Sequence, residues 1–89
     1  MNEVFHNDKY RILNVSIPGG QNMPSHHATS DAFVIVLEGE ALLILGDETI
    51  ELYAGSQQAI PSGQQHILRV VADFKACIVM EAGAEIDFD

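Results

Sequence analysis

Eight short runs of aliphatic and β-branched residues, each bounded by turn-forming residues, fill the chain between Tyr10 and Glu81. No useful window keeps apolar residues at positions i, i+3, i+4 and i+7 without a Gly or Pro interrupting, so amphipathic helices are not expected. Short strands punctuated in this way are the pattern of an all-β sandwich or barrel. The expected strands are Tyr10–Ile17, Ser25–Thr29, Ala32–Glu38, Glu40–Leu45, Glu48–Leu52, Gln57–Ile60, His66–Val71 and Lys75–Glu81. Gly46-Asp47 between two of them is a two-residue hairpin signal, because such turns require positive φ. Gly39 and Gly55 sit where strands are expected to turn sharply, and Pro61-Ser62-Gly63 ends one strand and aims the next. The closing segment Gly83–Asp89, with Glu85, Asp87 and Asp89, reads as a frayed acidic tail, and His6 falls in a stretch expected to be loose.

At 89 residues the chain holds one domain, with its core expected at about residues 10–82. A domain of this size buries only about 60–65% of its unfolded surface, so its stability margin is thin. A single cysteine, Cys77, rules out an intramolecular disulfide, which favours a reducing compartment. Cys77 itself reads as a small core residue in an apolar strand. Residues Met1–Asn7 lack the basic-then-apolar pattern of a leader, and the longest apolar run, Ala32–Leu37, is far too short to span a bilayer. A cytoplasmic protein without a membrane association is expected.

Thirteen acidic against four basic residues give a formal charge of −9, and Lys9, Arg11, Arg69 and Lys75 are scattered. Binding a nucleic-acid backbone needs clustered cations, so that class of partner is not expected. Three runs, Ala32–Leu37, Ala41–Leu45 and Ala76–Met80, are apolar on both strand faces. One face can line a barrel interior and the other needs a cover. A second copy of the chain, forming a homodimer, would supply it; an N-terminal segment folded over that face is the alternative.

Two segments carry a more specific signal. The first runs from Gly20 through His26, His27, Ala28, Asp31 and Ala32 to Gly39; the second holds Gly55, Pro61, Gly63 and His66. Together they resemble the paired motifs of the cupin superfamily, G-x5-H-x-H-x3-E-x6-G and G-x5-P-x-G-x2-H-x3-N. Gly20, His26, Gly39, Gly55, Pro61, Gly63 and His66 fall at the motif spacings. Ala28, Ala32 and Val70 stand where the second His, the Glu and the Asn belong. The resemblance implies a small cupin-type jelly-roll barrel, a double-stranded β-helix, covering the chain from about Tyr10 to Glu81.

It also implies a pocket in which first-motif ligands and the second-motif His hold one divalent transition metal, such as zinc, iron, manganese or nickel. Only His26 and His66 survive from that ligand set. Side chains alternate across a strand, so His27 and Asp31 are out of phase with His26 unless a β-bulge re-aims one of them. The candidate metal ligands are therefore His26, His66 and His27, with a metal-free pocket as the alternative, because tight sites need three or four protein ligands. Tyr53, Gln58 and Gln64 are candidates for the pocket wall, as is Tyr10, with Met23 and Met80 as packing or lining. Two functional readings stay open. One is an enzyme, an oxygenase, isomerase or decarboxylase acting on a small polar or carboxylated compound through a metal or through the two imidazoles. The other is a homodimeric module that holds a small ligand, or serves structurally, without catalysis.

Overall fold

The computed structural model describes residues 1–89 and contains only strands. In chain order these are β1 (Asn2–His6), β2 (Tyr10–Ile17), β3 (Asn22–Ala28), β4 (Ala32–Leu45), β5 (Glu48–Tyr53), β6 (Gln57–Ile60), β7 (His66–Glu81) and β8 (Ile86–Phe88). Every pairing between them is antiparallel. The curled sheet is that of a small cupin jelly-roll barrel, as the motif resemblance implied.

β4 and β7 organise the barrel. Each is one long strand where the sequence suggested two, and they pair with each other along both halves, from Ala32↔Met80 to Ile44↔Ile67. The first half of β4 also pairs with β6, and its second half with β5. The first part of β7 pairs with β3, which pairs onward with β8, and its second part pairs with β2, which pairs onward with β1. Two facing layers result, β1-β2-β7-β4-β6 and β8-β3-β7-β4-β5, sharing the two long strands.

The shared strands must bend sharply where they pass from one layer to the other. Register shifts between Val36 and Ala41 mark the bend in β4. Gly39 sits within it at φ 88°, and a Cβ there would lie 2.0 Å from the carbonyl oxygen of Asp73 on β7. Asp73 is tied in turn to the β2–β3 turn, where its Oδ1 accepts from the Gly19 N–H at 2.8 Å. Gly39 thus does not end a strand; it lets two backbones cross in contact.

The bend also resets the strand's phase. Before it the interior residues of β4 are Ala32, Val34 and Val36; after it they are Ala41, Leu43 and Leu45. A shift of odd length would turn an apolar face outward on an unbroken strand. The bulge absorbs it, so both halves feed one core, which also takes Leu13, Leu52, Leu68, Val70, Phe74, Ala76 and Met80.

Both termini depart from expectation. His6 lies in β1, paired with Arg11 across the strand pair, and its Nδ1 is 3.1 Å from Glu3 Oε2. The supposed frayed tail forms β8, paired with β3, with Ala84 buried and Ile86 packed against the core. Backbone pairing to open sheet edges outweighs the acidic composition of the tail.

On the outer face of the first layer the register lines up Phe5, Ile12, Val79, Phe33 and Ala59 across five strands. β1 extends the edge of this layer and does not lie across it, so Phe33 is 40% and Leu37 is 56% exposed. Cys77, expected in the core, is half-buried on this same outer side, opposite Asn14 and Ile35.

Gly39→Ala is expected to cost about 2–4 kcal/mol in urea unfolding, since it adds both positive-φ strain and a clash with main chain that cannot retreat. Gly46→Ala, also at positive φ but with open space around it, should cost only about 1 kcal/mol. Equal unfolding midpoints for the two variants would contradict this role of the bend.

Candidate functional site

β3 and β7 bring the two motif histidines together. His26 and His66 are backbone partners in the antiparallel pair, past a bulge between Met23 and His26. The second histidine is aimed by the turn before it. Gly63 N–H donates to the Ala28 carbonyl at 2.9 Å, and Ser62 N–H donates to Asp31 Oδ1 at 2.8 Å. These two bonds staple the Pro61-Ser62-Gly63 turn to the end of β3. Asp31 therefore serves the turn and offers nothing to the interior.

Both imidazoles point inward and are buried, at 5% and 7% exposure. Their ring centroids are 4.1 Å apart at an interplanar angle of 62°. His26 Nδ1 lies 2.7 Å from the carbonyl oxygen of Pro24, and His66 Nδ1 lies 2.9 Å from that of Gln64. A carbonyl only accepts, so each Nδ1 carries the proton. In the neutral ring this leaves Nε2 with a bare lone pair. No buried side-chain nitrogen or oxygen is left without a partner, and neither Nε2 bonds to protein, so both remain open to a solvent molecule or ligand. Two adjacent lone pairs can accept hydrogen bonds or take up a proton.

Burial holds the His66 pKa below its ordinary 6.5, and the nearby His26 adds to this; the Gln64 carbonyl and Asp89 oppose it. His66 is thus neutral at physiological pH.

A cavity of about 50 Å³ adjoins the pair. Apart from the two histidines every residue lining it is apolar, with both layers contributing: Val34, Leu43, Leu52, Phe74 and Ile78 among others. Met23 and Met80 line it, as expected. So do Ala28 and Ala32. The motif positions for the missing His and Glu do face the interior, but they present methyl groups.

The other candidates lie elsewhere. His27 points away from the cavity: the bulge in β3 precedes it and leaves it out of phase with His26. Its Nδ1 is 3.0 Å from Asp89 Oδ1 and its Nε2 3.7 Å from Asp87 Oδ2. Tyr53 is 57% exposed on β5, outside the cavity. Gln58, on β6, donates from Nε2 to the Ala59 carbonyl next door. Gln64 meets the site through its main-chain carbonyl, which accepts from His66 Nδ1. Tyr10 packs against Phe5 at 6.0 Å between ring centroids.

What sequence reasoning missed is the C-terminal strand. Phe88 is the backbone partner of His26, and its ring centroid is 5.4 Å from that of the imidazole; Ile86 lines the cavity. Asp89 accepts from Ser25 Oγ at 2.8 Å and meets His27, fastening β8 to β3. The Ser25 bond, then His27, holds the Asp89 carboxyl below its usual 3.8. The alternation Ala84-Glu85-Ile86-Asp87-Phe88-Asp89 was the available signal for a half-buried strand.

The donor set does not fit a tightly held metal. No three His, Cys, Asp or Glu side chains gather into a group that could hold an ion. Two imidazoles facing methyl groups and aliphatic walls fall short of the three or four ligands that a strong site needs.

The sequence of residues 14–82 matches the family model described as the cupin domain. The chain belongs to the cupin family. Among solved structures this cupin is similar to a cupin-2 domain protein from Shewanella frigidimarina, at 24% identity and a TM-score of 0.80 over 91% of this chain and 78% of that one. A conserved protein of unknown function from Streptococcus pyogenes is 26% identical, with a TM-score of 0.79 over 89% and 69%. The DMSP lyase DddQ of Ruegeria pomeroyi superposes with a TM-score of 0.84 at 23% identity, over 92% of this chain but only 44% of its own. That last likeness is one of fold. No curated protein matches the sequence. No helix is long and apolar enough to cross a membrane.

The lowered His66 pKa has a consequence for stability. Below pH 6.5 the unfolded chain takes up a proton that the folded chain refuses, so stability falls with falling pH from there. The melting temperature of this cupin is expected to be level between pH 7 and 8 and to drop toward pH 5. His66→Asn, whose amide can still donate to the Gln64 carbonyl, should show a shallower drop. Parallel profiles for the two proteins would count against a neutral, buried His66. Asp89 acts in a separate window: its contribution is present above 3.8 and lost only as pH falls through its lower folded value.

Proposed function

We propose that this cupin binds a small molecule in the cavity beside His26 and His66, and that it does so without a tightly held metal. The observation that carries this reading is the pair of buried imidazoles whose Nδ1 protons are tied to main-chain carbonyls while both Nε2 atoms stay unpartnered. No buried side-chain polar atom lacks a partner, so the two unbonded Nε2 atoms are accessible from the cavity that both rings line. Two accessible acceptors side by side on an otherwise apolar wall suit a ligand. The alternative of a pocket metal held by His26, His66 and His27 is disfavoured by the outward placement of His27.

The reading is tested in two steps on protein purified without chelator or affinity-tag metal. Elemental analysis should find well under one equivalent of zinc, iron, manganese, nickel or copper per chain. One equivalent, lost in His66→Ala, would replace this reading by a metal-centred one. A thermal-shift screen of small metabolites should then find stabilisation on the order of 10 °C at a hundredfold excess over Kd. The shift should vanish in His26→Ala. If no compound moves the melting point, the binding reading fails.

We further propose that the working unit is a homodimer formed through the outer face that carries Phe5, Ile12, Phe33 and Val79. Its support is the apolar row that β1 leaves uncovered, whose burial has to outweigh the repulsion between two chains of charge −9. Sedimentation at micromolar concentration should give a dimer, and Phe33→Glu a monomer. A wild-type monomer under those conditions refutes the interface.

A further inference from the structure

We infer that the ligand of this cavity is an uncharged molecule with an apolar body and a hydroxyl head, the chemistry of a small phenol, and that carboxylates are refused. This deepens the binding reading above and rests on it.

Hydrogen polarity at the two imidazoles is fixed by the main chain. Reversing either tautomer would put an Nδ1 lone pair against a carbonyl oxygen at 2.7 or 2.9 Å, two acceptors facing each other. The main chain therefore fixes which ring nitrogen carries hydrogen. In the neutral form of each ring, Nε2 is then an acceptor, so such a pair offers two acceptors and no donor toward the cavity. A ligand that brings only a carbonyl or ether oxygen keeps water from both lone pairs and offers them no donor in return, which is costly. A ligand that brings an O–H satisfies at least one of them.

Charge narrows the class. No Lys or Arg lines the cavity, and the chain as a whole is strongly acidic. A carboxylate would meet two lone pairs, no counter-charge and aliphatic walls, and desolvating it there is prohibitive. An ammonium head would gain the acceptors but suffers the same desolvation. A neutral hydroxyl does not.

Shape narrows it again. A cavity of about 50 Å³ has room for roughly three to five waters at about 10–15 Å³ each. This is far below the roughly 300–1,000 Å³ of sites for drug-sized ligands. A single small ring already requires the wall to yield. Met23 is half-buried and Met1 exposed, and both line the cavity. Unbranched thioether side chains are well suited to give way.

The test compares three probes of one size, phenol, toluene and benzoate, at pH 8, where phenol stays neutral and benzoate is charged. Binding is followed by titration calorimetry and by long-range imidazole ¹H–¹⁵N spectra of the labelled protein. Phenol should bind at least about tenfold more tightly than toluene and should move the Nε2 signals of His26 and His66, leaving the Nδ1 signals in place. Benzoate should not bind. In His66→Asn, which keeps a donor for the Gln64 carbonyl, the preference for phenol over toluene should shrink toward unity. His26→Gln repeats the comparison should that variant fail to fold.

Toluene binding as well as phenol, or benzoate binding more tightly than either, overturns the inferred class while the cavity stands as a binding site. Failure of all three probes at millimolar concentration also overturns it. In that case a His26-dependent shift with another metabolite would leave the broader reading intact, and its absence would remove both.

Discussion

The contact between Gly39 and the main chain of Asp73 is what the rest of the molecule depends on. Two long strands can serve two layers only if they fold over together, and they can fold over together only if one backbone comes to rest directly on the other. A side chain at position 39 would occupy the space of the Asp73 carbonyl. Because the bend in β4 also takes up a change of phase, the apolar faces of both halves stay inward. The closed interior, and with it the burial that keeps His66 neutral, follows from that one crossing.

The fold was legible in the sequence because its signals are local. Glycine and proline at fixed intervals, short aliphatic runs and the Gly46-Asp47 hairpin are readable without knowing what packs on what. Tyr10–Ile17 and Gln57–Ile60 have the bounds expected of them. The merging of runs into β4 and β7 was not legible, because a glycine that ends a strand and one that bends it look alike in sequence. What separates them is the backbone on the other side of the contact. β1 escaped notice for a related reason. All five of its residues are exposed, so it is held by main-chain hydrogen bonds and carries no apolar alternation to betray it.

The candidate site divides along the same line. His26 and His66 could be found because they stand at set distances from glycines and a proline. Polarity alone points to Tyr53, Gln58 and Gln64 for a pocket wall, whereas the residues lining the cavity beside the two histidines are apolar and do not include these three. Gln64 does shape the site, through a carbonyl that any residue at that position would provide. The same is true of Pro24. The groups that set the state of the imidazoles belong to the main chain and have no letter in the sequence.

That anchoring separates two properties that drift together in most binding sites. The contour of the chamber is drawn by aliphatic side chains, each open to exchange for a neighbour in size. The sense in which hydrogens are offered is written into peptide groups that substitution does not touch. Descendants of such a chain can therefore widen, narrow or reshape the chamber residue by residue while the demand made at its polar end stays the same.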